Sequence, residues 1–118
     1  MDNVFEVGLL LDFYGQLLTT RQYEIMDLHY NNDYSLAEIA EQLNISRQGV
    51  FDNIKKGKVT LNNLESKLNL VKRFTELKFK AEEILKNTQD IIVDNLNNTN
   101  RELVLKVEKG IRNIIDNI

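Results

Sequence analysis

The chain has 118 residues, 42% hydrophobic and 28% charged, with a formal net charge of −3 and no cysteine, proline or tryptophan. That length suits one domain, or one domain with an appendage, and excludes a large multidomain enzyme, because single cores organise about 100 to 150 residues. Without cysteine there are no disulfides, zinc ribbons or thiol nucleophiles, and no apolar run nears the roughly 18 residues of a membrane span, so no membrane insertion is expected.

The opening Met1-Asp2-Asn3-Val4-Phe5-Glu6 lacks the basic and small-residue pattern of a secretory signal, which predicts a cytoplasmic protein. Val7, Leu10, Leu11, Tyr14, Leu17 and Leu18 follow the 3.6-residue period and predict a helix over 3–17. Thr19 or Thr20 caps a second helix from about Arg21 to His29, which ends at the polar turn Tyr30-Asn31-Asn32-Asp33-Tyr34. Ser35-Leu36-Ala37-Glu38 is a capping box that opens a short third helix ending at Leu43. Asn44 tolerates the left-handed conformation of a tight helix-to-helix turn, and Ser46 caps a fourth helix. From Leu61 to about Lys86, Leu61, Leu64, Leu68 and Val71, then Leu70, Phe74, Leu77, Ala81 and Ile84, recur at threes and fours with one change of phase. They predict a long, coiled-coil-like helix. Another short helix is expected over 90–96 and a loop over Asn97-Asn98-Thr99-Asn100. Val104, Val107, Ile111, Ile114 and Ile118 form a last seam that needs a partner. No segment alternates with period two, so the fold class is all-α.

The mean charge hides an uneven distribution. Residues 1–43 carry Arg21 against eight acids, a net −7, whereas residues 44–73 carry seven cations against Asp52 and Glu65, a net +5. Residues 74–118 are nearly balanced at −1. One basic island therefore sits inside an acidic protein, and it gains meaning only where an independent motif falls on it.

Little else points to catalysis. His29 is the single histidine and has neither cysteine nor a spaced carboxylate to form a metal site or triad, so a structural role at a helix end is expected. Glu82-Glu83 and Glu38/Glu41 fall at polar positions of amphipathic helices, and the five glycines are isolated, so no loop cradles a phosphate. No catalytic residue, metal or cofactor is expected, and the chain is read as a non-enzyme.

The strongest signal runs from Ser35 to Lys58. Ala40 is small where two helices cross, and Ile39, Leu43, Ile45, Val50 and Ile54 fill the wedge between them, the pattern of a helix-turn-helix. At about 100° per residue, Val50, Ile54, Gly57 and Leu61 share one side of the fourth helix, while Gln48, Gly49, Asp52, Lys55 and Lys56 share the other. Arg47 projects from the N-terminal end, where recognition helices meet base edges. The candidate DNA-binding residues are Ser46, Arg47, Gln48, Gly49, Asp52, Asn53, Lys55, Lys56 and Lys58.

Residues 20–60 resemble region 4 of bacterial sigma factors. Leu11-Asp12-Phe13-Tyr14, Leu17-Leu18-Thr19, Tyr34-Ser35-Leu36-Ala37-Glu38-Ile39-Ala40 and Ser46-Arg47-Gln48-Gly49-Val50-Phe51-Asp52-Asn53-Ile54-Lys55 together resemble the YlxM family of small bacterial helix-turn-helix proteins, over about residues 5–85. The resemblance implies a sigma region 4-like head, DNA binding, a regulatory role and an association with the signal recognition particle pathway. Asn44 stands where glycine is usual at the turn.

The expected organisation is a helix-turn-helix head over 1–58 and long C-terminal helices over 59–118 that join a homodimer. The dimer seam is expected at Leu61, Leu64, Leu68, Val71, Phe74, Leu77, Val104, Val107, Ile111 and Ile114. Alternatively, the last helix folds back and covers part of that stripe within one chain. Two functions compete: a DNA-binding regulator that uses the fourth helix, and an adaptor for a protein or ribonucleoprotein, with signal recognition particle components among its partners, that uses the same head or its acidic flank.

Overall fold

Helix α1, Val4–Tyr14, starts the computed structural model, which describes residues 3–91 and 98–117; Asn3 caps it by accepting from the Phe5 amide at 2.8 Å. A 3-10 turn, Gly15–Leu17, leads to α2, Thr20–Met26. The Thr19 hydroxyl accepts from the Gln22 amide while the Gln22 side chain accepts from the Thr19 amide, so a capping box fixes this helix start. The expected second helix changes pitch before it ends, since Asp27–Asn31 forms a π-helical turn. Asn31 and Asn32 fold their amides back onto the Asp27 carboxylate and carbonyl, and Asp33 takes a left-handed φ of 59°. His29 Nδ1–H donates to the Tyr34 carbonyl at 2.7 Å, and its ring meets Tyr30 edge-on, the structural role expected of it.

Helix α3, Leu36–Leu43, opens on the Ser35–Glu38 capping box and closes on Asn44, at φ 56° and ψ 48°. The Ile45 amide reaches back to the Ala40 carbonyl at 3.0 Å, which satisfies an end-of-helix acceptor and sets the turn into α4. Helix α4 then runs from Arg47 to Leu68 without interruption, through the division expected at residue 58.

The long helix expected over 61–86 is two helices. Asn69 adopts φ 54° and ψ 29° and ends α4, and α5 runs from Leu70 to Ile91. The phase change between the two apolar series marks this break. A second asparagine here does what Asn44 does earlier, since a left-handed residue costs it little. Helix α6 covers Asn98–Asn117, so the loop expected through Asn100 is helical from Asn98 onward. The short helix expected over 90–96 lies, beyond Ile91, outside the described residues, as does Ile118. All elements among the described residues are helical, and the fold is all-α.

The chain divides into two compact units, Met1–Val71 and Lys72–Ile118. In the first, here called the head, α4 packs on α1, α2 and α3, and Val7, Leu11, Tyr14, Ile25, Met26, Ile39, Val50 and Leu61 form the centre of its core. Each such side chain contributes on the order of 1.5–3 kcal/mol by leaving water. In the second unit, Gln89 Nε2 of α5 reaches Glu108 Oε1 of α6 at 3.5 Å, and Ala81 and Thr88 are buried. No helix among the described residues is long and apolar enough to cross a membrane.

Candidate nucleic-acid interface

The candidate interface is built on α4, and its position follows from how that helix is held. Val50 and Ile54 are buried against the head, and Gly57 lies against Met26 of α2. A Cβ on Gly57 would stand 2.2 Å from Met26 Sδ, so a side chain here forces Met26 to shift. At its other end α4 is anchored through a network that joins α1, α4 and α5. The Tyr14 hydroxyl donates to Glu65 Oε1 at 2.6 Å and accepts from the Leu70 amide at 3.1 Å, and the Val71 amide donates to the same Glu65 oxygen at 3.0 Å. Glu65 and Tyr14 thus satisfy amides that the first turn of α5 would otherwise leave unpaired. Burial, then the hydrogen bond to the Glu65 carboxylate, raises the Tyr14 pKa above the ordinary phenol value.

With its inner side fixed, α4 presents Arg47, Gln48, Asp52, Lys55 and Lys56 to solvent. Gln48 Nε2 donates to Asp52 Oδ1 at 3.0 Å, one turn apart. The pair uses one N–H of Gln48 and leaves its carbonyl and second N–H for other partners. Lys55 and Lys56 line a shallow groove with Gln22 of α2 and with Asp52, Val59 and Thr60 of α4.

Of the four other expected residues, Ser46, Gly49 and Asn53 serve the helix itself, and Lys58 lies on another flank. Ser46 caps α4, accepting from the Gly49 amide at 2.9 Å, and Asn53 Nδ2 donates to the Gly49 carbonyl at 2.8 Å. Gly49 is half-buried, and a Cβ there would stand 3.2 Å from Ser46 Oγ. Lys58 is half-buried on the flank facing α1, where it lines a small crevice with Glu6, Leu10 and Asn62. It stands apart from the groove of Lys55 and Lys56. The outer face also carries Phe51 and Val59, both about half exposed, and Gln22 joins the groove from α2. The sequence signal for Phe51 and Val59 is that they are apolar residues off the buried stripe. Gln22 had no sequence signal.

The expected dimer seam separates into distinct environments. Leu61 is fully buried in the head, and Leu64 and Val71 pack against the same core, so these three are committed within the chain; Leu68 is exposed. In the second unit Phe74, Val104 and Ile111 are half-buried, while Leu77, Val107 and Ile114 are exposed. Among the described residues, no group of three or more histidine, cysteine, aspartate or glutamate side chains could hold a metal ion.

Comparison with known proteins places this geometry in a family. Residues 1–101 match the family model UPF0122, described as "Putative helix-turn-helix protein, YlxM / p13 like". A UPF0122 protein of Acetivibrio thermocellus is 53% identical over 116 residues, covering 98% of this chain and 99% of its own length. One from Clostridium kluyveri is 42% identical, covering 98% of this chain and all of its own. One from Bacillus pumilus is 37% identical over 90% of this chain and 93% of its own. The α3–Asn44–α4 geometry agrees with that description, and the chain belongs to the UPF0122 family of YlxM / p13-like helix-turn-helix proteins.

Proposed function

We propose that this protein is a DNA-binding regulator that docks the N-terminal turns of α4 in the major groove. The observation that carries the reading is the two-sidedness of α4: Val50, Ile54 and Gly57 are locked into the head while Arg47, Gln48, Lys55 and Lys56 face solvent. Arg47 suits guanine, which offers two acceptors to a guanidinium. Gln48 suits adenine, because donating one N–H to Asp52 leaves it a carbonyl and an N–H for the adenine edge. Lys55 and Lys56, exposed on the same helix, suit phosphates. Two copies joined through the C-terminal helices would bring two such helices to one duplex and raise affinity through effective concentration.

The test is fluorescence anisotropy with a duplex selected from a random pool. Arg47→Ala is expected to cost about 1–3 kcal/mol on the selected duplex and relax its sequence preference, whereas Lys56→Ala weakens selected and scrambled duplexes alike. Unchanged binding in both variants at low salt refutes groove docking.

The acidic 1–43 segment, at −7, favours a second reading in which the head is an adaptor for a protein or ribonucleoprotein. Signal recognition particle components are the partners that the YlxM resemblance implies. Nuclease treatment during pull-down separates the two, since only a nucleic-acid-mediated complex is lost.

A further inference from the structure

We propose that a second copy of this chain covers one particular face of the α5–α6 unit, closing a four-helix bundle; this names the surface for the pairing proposed above and rests on that reading. The argument begins with the direction of the two helices. A short connection between packed helices makes them antiparallel, and only six residues separate Ile91 from Asn98. The buried and half-buried positions agree with that direction. Counted at equal rise along an antiparallel pair from the Gln89–Glu108 contact, Thr88 falls beside Glu108, Leu85 beside Ile111 and Ala81 beside Ile115. This seam is the one the hairpin buries by itself.

A second apolar stripe remains on each helix. Leu77, Ile84 and Ile91 recur every seven residues along α5, and Leu103, Val107 and Ile114 lie along α6, all between 52% and 55% exposed. At 100° per residue the α5 set lies about 40–80° from Ala81, and the α6 set about 70–110° from the centre of its own seam, in the same rotational sense. Antiparallel helices carry equal rotational offsets to the same side of the hairpin. The two stripes therefore form one continuous face, with Ile84 level with Ile114 and Ile91 level with Val107.

That face has the size and chemistry of an interface between like copies. Six aliphatic side chains, each about half exposed, offer on the order of 500 Å² per copy, and two copies reach the roughly 1,000 Å² that a specific interface requires. It is also self-complementary, as a twofold interface must be, because the same patch meets itself. Gly110 completes a 4-3-4 run with Leu103, Val107 and Ile114. Glycine weakens a helix interior, and a Cβ there would meet nothing within 4 Å in the chain itself. Close approach of a second copy's helix supplies the use for that space.

Sedimentation equilibrium of the full chain at micromolar concentration reads the pairing, with twice 13.8 kDa expected. Ile84→Lys is expected to raise the dimer Kd about a hundredfold or more, since it buries an unpaired charge. Leu105→Lys, on the other flank of α6, is expected to leave it unchanged. Circular dichroism checks that both variants keep their helices, and a photo-crosslinking side chain at Ile84 or Ile114 is expected to trap a second copy where one at Leu105 does not. A monomer mass overturns both pairing and surface. A dimer that survives Ile84→Lys, or crosslinks only from Leu105, overturns this surface and leaves pairing by another. Neither result bears on duplex binding by α4, which is read separately.

Discussion

Replacing Gly57 by alanine sets two opposed effects against each other at the crossing that orients α4. Alanine favours the helix interior by about 1 kcal/mol over glycine. Against this, the new Cβ would stand 2.2 Å from Met26 Sδ and 3.4 Å from its Cγ, where ordinary nonbonded contacts lie at about 3.5–4.0 Å. Met26 is fully buried, so its sulfur cannot swing into solvent. Overpacking of this kind costs typically about 1–3 kcal/mol. The overlap exceeds 1 Å, which places the cost at the upper end, and a net loss of about 1–2 kcal/mol is expected. The same substitution in a Met26→Ala background meets no sulfur, so there it is expected to stabilise by about 1 kcal/mol, although Met26→Ala itself costs about 2–5 kcal/mol. Urea unfolding followed by tyrosine fluorescence and circular dichroism measures all four corners of the cycle. If Gly57→Ala stabilises the wild-type chain as much as it stabilises the Met26→Ala variant, the packing argument at this crossing is refuted.

Tyr14→Phe removes the hydroxyl that joins Glu65 to the Leu70 amide and is expected to cost about 1.5–3 kcal/mol, as for a hydrogen bond to a charged group. It also alters the alkaline limb of stability. Because the Tyr14 pKa is raised in the folded chain, the unfolded chain ionises first, so its contribution is complete below about pH 10 and declines as pH rises through the folded value. Unfolding measured from pH 8 to 11 should show a shallower decline in the Phe variant, and identical slopes would contradict this. At the acid end, the Ser35 amide and hydroxyl hold the Glu38 carboxyl below the usual range; the stability it lends α3 is present above the ordinary carboxylate pKa and lost as pH falls through the lowered value, a loss that Glu38→Gln should abolish in an acid titration by circular dichroism. Ser46→Ala should cost about 1 kcal/mol in urea unfolding by exposing the Gly49 amide at the start of α4. Asp52→Asn keeps an acceptor for Gln48 while removing a negative charge, so it should tighten binding to nearly every duplex; a loss confined to one cytosine-containing site would instead show that Asp52 reads that base.

Legibility in the sequence followed the range of the interaction. Ser35 with Glu38, and Asn44, are local devices whose positions announce a helix start and the tight turn, whereas the start of α2 was legible only as Thr19 or Thr20, and the structure resolves it to Thr19 paired with Gln22. The two sides of α4 were equally legible, because helical period alone places Val50, Ile54 and Gly57 opposite Gln48, Asp52 and Lys56. The break at Asn69 was present only as a change of phase, since Leu64, Leu68 and Val71 continue an apolar rhythm across it. Period also cannot say which partner a stripe meets. Leu61 continues the same rhythm as Leu68, yet its partners are in the head core. The Tyr14–Glu65 network joins residues 51 apart in the chain, and the fit of Gly57 against Met26 depends on a helix crossing, so neither had a local signal.

The central claim, that α4 binds DNA through its basic outer face, is tested most directly by titrating duplex affinity against salt for the wild-type chain and for Lys55→Gln/Lys56→Gln. Each phosphate neutralised contributes about −0.9 to the slope of log affinity against log salt. The account predicts a steep negative slope for the wild type that flattens by about 2 in the double variant. A slope near zero, or one that the double variant leaves unchanged, would contradict it.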